Sequence, residues 1–294
     1  MKGGRYPQFV VSKSMEKRKI KSIVKGRPTV DGAGVHLVRV LSINTVEDFD
    51  PWLMLDSFDS RNPRDYIAGF PPHPHRGIET ITYLIEGEME HKDNLGNKGI
   101  IKNGESQWMT AGSGIIHEEM PTPSKRMLGV QLWLNLPQKD KMTHPKYFEI
   151  TNEMIKEVKT DFGKVRVVSG EYEGVAGVKG DYVDATILDL LIDKDQSAVV
   201  NLPPKDNAFV FLLEGNAVID STNCDTKSAV LLGPGSAVEI RAKDGALRAL
   251  ICSGEPLKEE VSWGGPIVMN TKEELKLAFE ELEKGTFIKE NAID

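Results

Sequence analysis

Cysteine is almost missing from this chain of 294 residues; Cys224 and Cys252 are the only two. Two thiols make no disulfide framework, so a reducing, cytoplasmic setting is expected. Nothing near either thiol activates it. Long apolar runs are missing as well. No stretch approaches the roughly 20 apolar residues that a membrane-spanning helix needs, so no membrane partner is expected. The amino terminus, "MKGGRYPQFVVSKSMEKRKIKSIVKGR", is basic, but its apolar run covers only Phe9 to Val11. That excludes the hydrophobic segment of a secretory signal. The basic residues from Lys13 to Arg27 read as a solvated lead-in to the first strand rather than a nuclear address. Met15 is an alternative to Met1 as the true start. Excess positive charge is absent, with a formal net charge of −7. Phosphate repels such a surface, so no direct nucleic-acid partner is expected. Glutamine is scarce beside plentiful Lys and Glu, a composition that leans toward a heat-adapted source.

What is present is β-type sequence. A hydrophobic share of 39% and a charged share of 28% are those of a soluble globular chain able to bury a core unaided. Short runs such as "GVHLVRVLS", "ETITYLIEG", "MLGVQLWLNLP" and "AFVFLLEGNAVID" alternate with Gly, Pro, Asn and Asp turns. Many short strands closely spaced imply barrels or sandwiches. One helix is expected over 271–285. Thr271 and Glu274 form a capping box, Leu275, Ala278, Phe279 and Leu282 share a face, and Gly285 closes it. An internal repeat pairs "YLIEGEMEH" (83–91) with "FLLEGNAVI" (211–219), each followed by a Gly-rich turn. Two related barrels in tandem account for it. The expected division is a lead-in over 1–19, a metal-binding barrel over 20–140, a polar connector over 141–163, and a second barrel with the helix over 164–294.

The chemistry concentrates in "PPHPHRGIETITYLIEGEMEH" and "GIIHEEM". Side chains at i and i+2 of a strand share a face. His73 and His75 therefore offer two imidazoles to one side, and His117 and Glu119 repeat the geometry. Should the two strands be neighbours, these four converge on one ion. Imidazole and carboxylate suit Fe, Mn, Ni, Cu or Zn, and the lack of nearby cysteine excludes a structural thiolate zinc site. Open positions on such an ion are what iron oxygenases use, so Fe(II) is the expected cofactor. Glu79 falls on the face of His75 if the strand is unbroken. It is read as orienting an imidazole, with a paired barrel carboxylate as the plain alternative. His91 is read as exposed and idle, His36 and His144 as having no partners. Trp108, Met109 and Trp133 are read as core, one of them walling the pocket. Aligned on the repeat, the second barrel has Asn201 and Pro203 in place of His73 and His75. The His117 position falls near Val238 to Ile240, and no histidine follows His144. A second metal site of this kind is excluded there.

The blocks "HPHRGIETITYLIEG", "QWMTAGSGIIHEEMP", "GVQLWLNLP", "GEPL" and "GPIVMNTKEE" resemble the pirin family, from about residue 20 onward. The resemblance implies an all-β fold of two tandem cupin, jelly-roll-like barrels with a carboxy-terminal helix. It implies one metal, usually iron, in the first barrel, held by His73, His75, His117 and Glu119. It also implies a dioxygenase that opens quercetin-like flavonols, or a related enol, with dioxygen and loss of carbon monoxide. Glu119 would then be the general base. The alternative is an iron-dependent, redox-sensing regulator that binds a protein partner without turnover.

Overall fold

The computed structural model describes residues 15–290. The first barrel is built from β1 (Ile20–Lys25), β2 (Arg27–Asp31), β3 (Val35–Leu41), β4 (Trp52–Ser60), β5 (Phe70–His75), β6 (Ile78–Glu86), β7 (Met89–Asp93), β8 (Lys98–Ile101), β9 (Ser106–Thr110), β10 (Ile115–Pro121), β11 (Met127–Asn135) and β12 (Lys146–Ile150), with one exception given below. They form two sheets, ordered β12-β9-β6-β11-β4-β3-β2 and β5-β10-β7-β8. Along β6 the side chains alternate. Ile81 and Tyr83 enter a core shared with the second barrel, while Thr82 points into the first. The large sheet is thus covered on both faces. For that reason β11 is buried at every position and its sequence lacks apolar–polar alternation.

The second barrel is one nine-stranded sheet whose interior is apolar. Val238 and Ile240 are fully buried in it, and Asn201 is exposed. Aliphatic packing fills the place that imidazoles hold in the first barrel. Between the barrels, Phe49 and Trp52 meet Phe209 edge-on, at ring separations of 5.4 and 6.1 Å. A polar knot crosses the same interface. The Tyr83 hydroxyl donates to Asp189 Oδ2 at 2.6 Å and accepts from Arg166 Nη1 at 2.7 Å. Arg248 holds Asp189 with two further bonds, at 3.0 and 2.6 Å.

The expected boundaries need correction at three places. β1 is the exception: it pairs with Ser228–Leu232 and so belongs to the second barrel's sheet. Just before it, Arg18 is buried and donates to the Pro203 and Asp206 carbonyls, whereas a solvated lead-in was expected. Residues 1–14 lie outside the described residues. The connector is not strand-free. β12 pairs with β9, and Lys156–Thr160 pairs with Gly163–Ser169 of the second barrel. Both are edge strands, and an edge strand facing water reads as polar and Lys-rich. The carboxy-terminal segment leaves the second barrel altogether. Its hairpin, Ser262–Gly264 with Ile267–Met269, and its helix Lys272–Lys284 lie on the first barrel, where Val268 N donates to Arg76 O at 3.1 Å. The helix has the expected capping box and a left-handed Gly285 at its end.

Candidate metal centre

β5 carries prolines at 71, 72 and 74, which a central strand would not tolerate. It is an edge strand, hydrogen-bonded only to β10. In that pairing His73 faces His117 and His75 faces Ile115. The donor atoms of His73, His75 and His117 lie within 4.8 Å of one another, and no other such group occurs among the described residues. His117 Nε2 is 2.9 Å from His73 Nε2. Behind the cluster, the Pro71 carbonyl takes His73 Nδ1 at 2.8 Å and the Pro266 carbonyl takes His75 Nδ1 at 3.0 Å. Each carbonyl fixes a proton on Nδ1 and leaves Nε2 free.

Burial, then the neighbouring His73, pushes His75 down to about 3. His117 is likewise pushed well below its ordinary value, by burial first and then by the other imidazoles. Both rings are therefore neutral near pH 7. Imidazole nitrogens turned toward one another this closely offer a cation ligands from three sides. The donor set fits a transition-metal cation.

Glu119 lies beside the cluster, outside the group of mutually close donor atoms. It is 1% exposed. Its Oε1 accepts from Thr82 Oγ1 at 3.0 Å and Gln107 Nε2 at 2.6 Å, and its Oε2 accepts from Gln131 Nε2 at 2.7 Å. Those three donors belong to a polar row that crosses the inner face of the large sheet. Strand register sets Gln107, Thr82, Gln131, Asp56 and Arg39 side by side. The far end is an ion pair. Arg39 Nε and Nη2 grip Asp56 at 2.9 and 2.7 Å, and Nη2 also reaches Asp31 at 2.6 Å. A cavity of about 720 Å3 runs from His73 and His75 along Gln131 to Arg39, Asp31 and Asp56. Its apolar walls include Met54, Phe70, Trp133 and Trp263. Trp133 sits edge-on to His75 at 5.1 Å, and Trp263 lies 5.7 Å farther along. Of the aromatics expected in the core, Trp133 is the pocket wall, and Trp108 belongs to the core between the barrels.

Two residues stand elsewhere than expected. Glu79 makes no hydrogen bond to an imidazole. Its Oε1 accepts from Thr110 Oγ1 at 2.7 Å, and its Oε2 has no partner. The strand is broken: Gly77 turns at φ +80° between β5 and β6. Across that break the two-residue periodicity restarts, and Glu79 lands on the face of Ile81 and Tyr83. Burial pushes its carboxyl up to about 7.

His91 is neither exposed nor isolated. It is 1% exposed, with Nδ1 3.4 Å from His117 Nδ1 and Nε2 2.9 Å from Asp93 Oδ2. Tyr147 stacks on its ring at 4.0 Å and 10°. Burial pushes Asp93 up, but bonds from His91 and Asn97 outweigh it and hold the carboxyl low. The sequence signal was the alternation of Met89, His91 and Asp93, which puts all three on one strand face. His36 is exposed, and His144 is exposed beside Glu290.

Comparison with known proteins places this geometry. Residues 34–134 match Pirin, and residues 187–288 match the Pirin C-terminal cupin domain. A pirin-like protein from Caulobacter vibrioides is 45% identical over 93% of this chain and 100% of its own length. Pirin from Mus musculus is 35% identical, covering 89% of this chain and 91% of its own. The crystal structure of quercetin 2,3-dioxygenase from Acinetobacter baumannii superposes with a TM-score of 0.86. It is 31% identical and covers 92% of this chain and 98% of its own.

Proposed function

We propose a function from one premise: the chain belongs to the pirin family of two-domain cupin proteins. It is a metal-dependent dioxygenase that acts on a quercetin-like flavonol or a related enol. His73, His75 and His117 hold the ion, Fe(II) by proposal, and Glu119 is the fourth ligand. The observation that carries this reading is the convergence of three imidazoles, two of which, His73 and His75, line a cavity large enough for a three-ring substrate. The likeness to a quercetin 2,3-dioxygenase structure supports the substrate class.

When bound, the ion supplies Lewis acidity toward the substrate's enol oxygen and one-electron chemistry with dioxygen. The chain supplies the rest. Glu119 accepts the proton of the enol hydroxyl, held in line by Gln107, Thr82 and Gln131. Trp133, Trp263, Met54 and Phe70 enclose the planar rings and exclude water. At the far end Arg39 still has Nη1 without a protein partner among its hydrogen bonds. It donates there to ring hydroxyls, while Asp31 accepts from them. The regulatory alternative uses the same ion but has no need of a walled cavity.

The test is anaerobic loading with Fe(II), then quercetin and air. Loss of the flavonol absorbance is expected, together with an inert His117→Ala variant. Unchanged absorbance over a fully loaded site defeats the flavonol reading.

A further inference from the structure

We propose that His91 is a positioning residue for the metal centre: anchored by Asp93, it fixes the tautomer of His117 and so presents His117 Nε2 to the ion. The inference rests on the metal-site reading above and is independent of the substrate.

The anchor is built from the β7–β8 turn. Asp93 Oδ1 accepts from Leu95 N at 2.9 Å and Asn97 N at 3.1 Å. Its Oδ2 accepts from Asn97 Nδ2 and His91 Nε2, both at 2.9 Å. A carboxylate only accepts, so His91 carries its proton on Nε2. With an ion on His117 Nε2, His117 Nδ1 keeps its proton and donates across 3.4 Å to His91 Nδ1, which is therefore bare. Two lone pairs would repel at that distance, as those of His117 Nε2 and His73 Nε2 would at 2.9 Å without a cation between them. The proton between the two Nδ1 atoms therefore sits on His117, and His117 Nε2 is left as a lone pair toward His73 and His75. The opposite arrangement, a proton on His91 Nδ1, would place an N–H of His117 inside the ligand cluster.

Strand register makes the placement rigid. β10 lies between β5 and β7, and His117 faces both His73 and Asp93. Glu119 faces His91 across the same pair. Tyr147 clamps the His91 ring from above, and its hydroxyl reaches Gln107 Oε1 at 3.3 Å. Gln107 in turn holds Glu119. One buried block thus orients both residues that β10 contributes. Partners behind a metal-binding imidazole typically matter by 10- to 100-fold in metal affinity.

The experiment reads tautomers directly. Two-bond proton–nitrogen spectra of Zn(II)-loaded 15N-histidine protein should show His117 protonated at Nδ1 and His91 protonated at Nε2 alone. His91 protonated at Nδ1 in the loaded protein overturns the proposal. Two variants add a second readout. His91→Phe keeps a ring against Tyr147 but removes the acceptor. Its Co(II) affinity, measured by chelator competition, should fall roughly 10- to 100-fold with a changed visible spectrum. His91→Asn restores an acceptor oxygen and should recover most of both. Wild-type affinity and spectrum in His91→Phe overturn the assignment. If that variant does not fold, the wild-type tautomers decide alone. Tight Co(II) binding, beside Fe(II)-loaded protein that leaves quercetin unchanged, would defeat the flavonol reading and leave this one standing.

Discussion

Two glutamates of the first barrel, Glu79 and Glu119, are each 1% exposed, yet their surroundings differ completely. Glu119 has every oxygen occupied by donors; Glu79 has one oxygen bare. The Glu79 carboxyl is pushed by burial from an ordinary 4.5 up to about 7, so the folded chain holds that proton more tightly than the unfolded one. Its stabilising contribution is complete below the unfolded value and is lost as pH rises through about 7, an effect of about 3 kcal/mol. Urea titrations across pH 4 to 8 should show this decline, and Glu79→Gln should flatten it. Parallel curves for the two proteins would contradict the assignment. Arg39→Ala should raise KM for quercetin about tenfold, the scale of a lost bond to a charged group, and leave metal binding intact. For a flavonol without catechol hydroxyls the same change should matter little. At this scale the histidine triad was legible, because i and i+2 spacing survives folding. His91 was not, because a strand that turns imidazole and carboxylate inward reads as a solvated loop.

Elements explain why one glutamate was misplaced. β5 and β6 look continuous in sequence, but Arg76 and Gly77 turn the chain between them. A Cβ at Gly77 would sit 2.0 Å from the Val268 carbonyl oxygen, at φ +80°. Gly77→Ala should therefore cost about 2–4 kcal/mol, from strained backbone and lost packing together. It should also loosen the carboxy-terminal hairpin, making it the first site of limited proteolysis. Cleavage elsewhere first would argue against the latch. The latch itself is dense. Lys141 Nζ donates to Gly77 O, Asn135 Oδ1 and Val268 O, and Arg76 reaches Ser113 O and Phe287 O. The strands with clear β-branched runs between turns, β3, β6 and β11 among them, could be read from the sequence. Among those missed, β7, β12 and Lys156–Thr160 have polar interiors or open edges, where binary patterning carries no signal, whereas β4 was missed although it is buried along most of its length.

Over the whole molecule, the repeated Glu-Gly module disclosed two barrels, and the second of them carries no histidine. What joins them was hidden, since Tyr83, Asp189, Arg166 and Arg248 meet only in three dimensions. Tyr83→Phe should cost about 1–3 kcal/mol by leaving Asp189 and Arg166 short of a partner, read as a lowered urea midpoint with an unchanged slope. An unchanged midpoint would mean water replaces the hydroxyl. The exchange of termini was equally hidden, because pairing across some 200 residues leaves no local trace: β1 completes the far barrel, and the segment after Gly254 returns to the near one. The carbonyl that orients His75 belongs to Pro266, close to the end of the chain. His75 thus takes its aim from a carbonyl 191 residues downstream, so its ring is set only when the carboxy-terminal hairpin has docked.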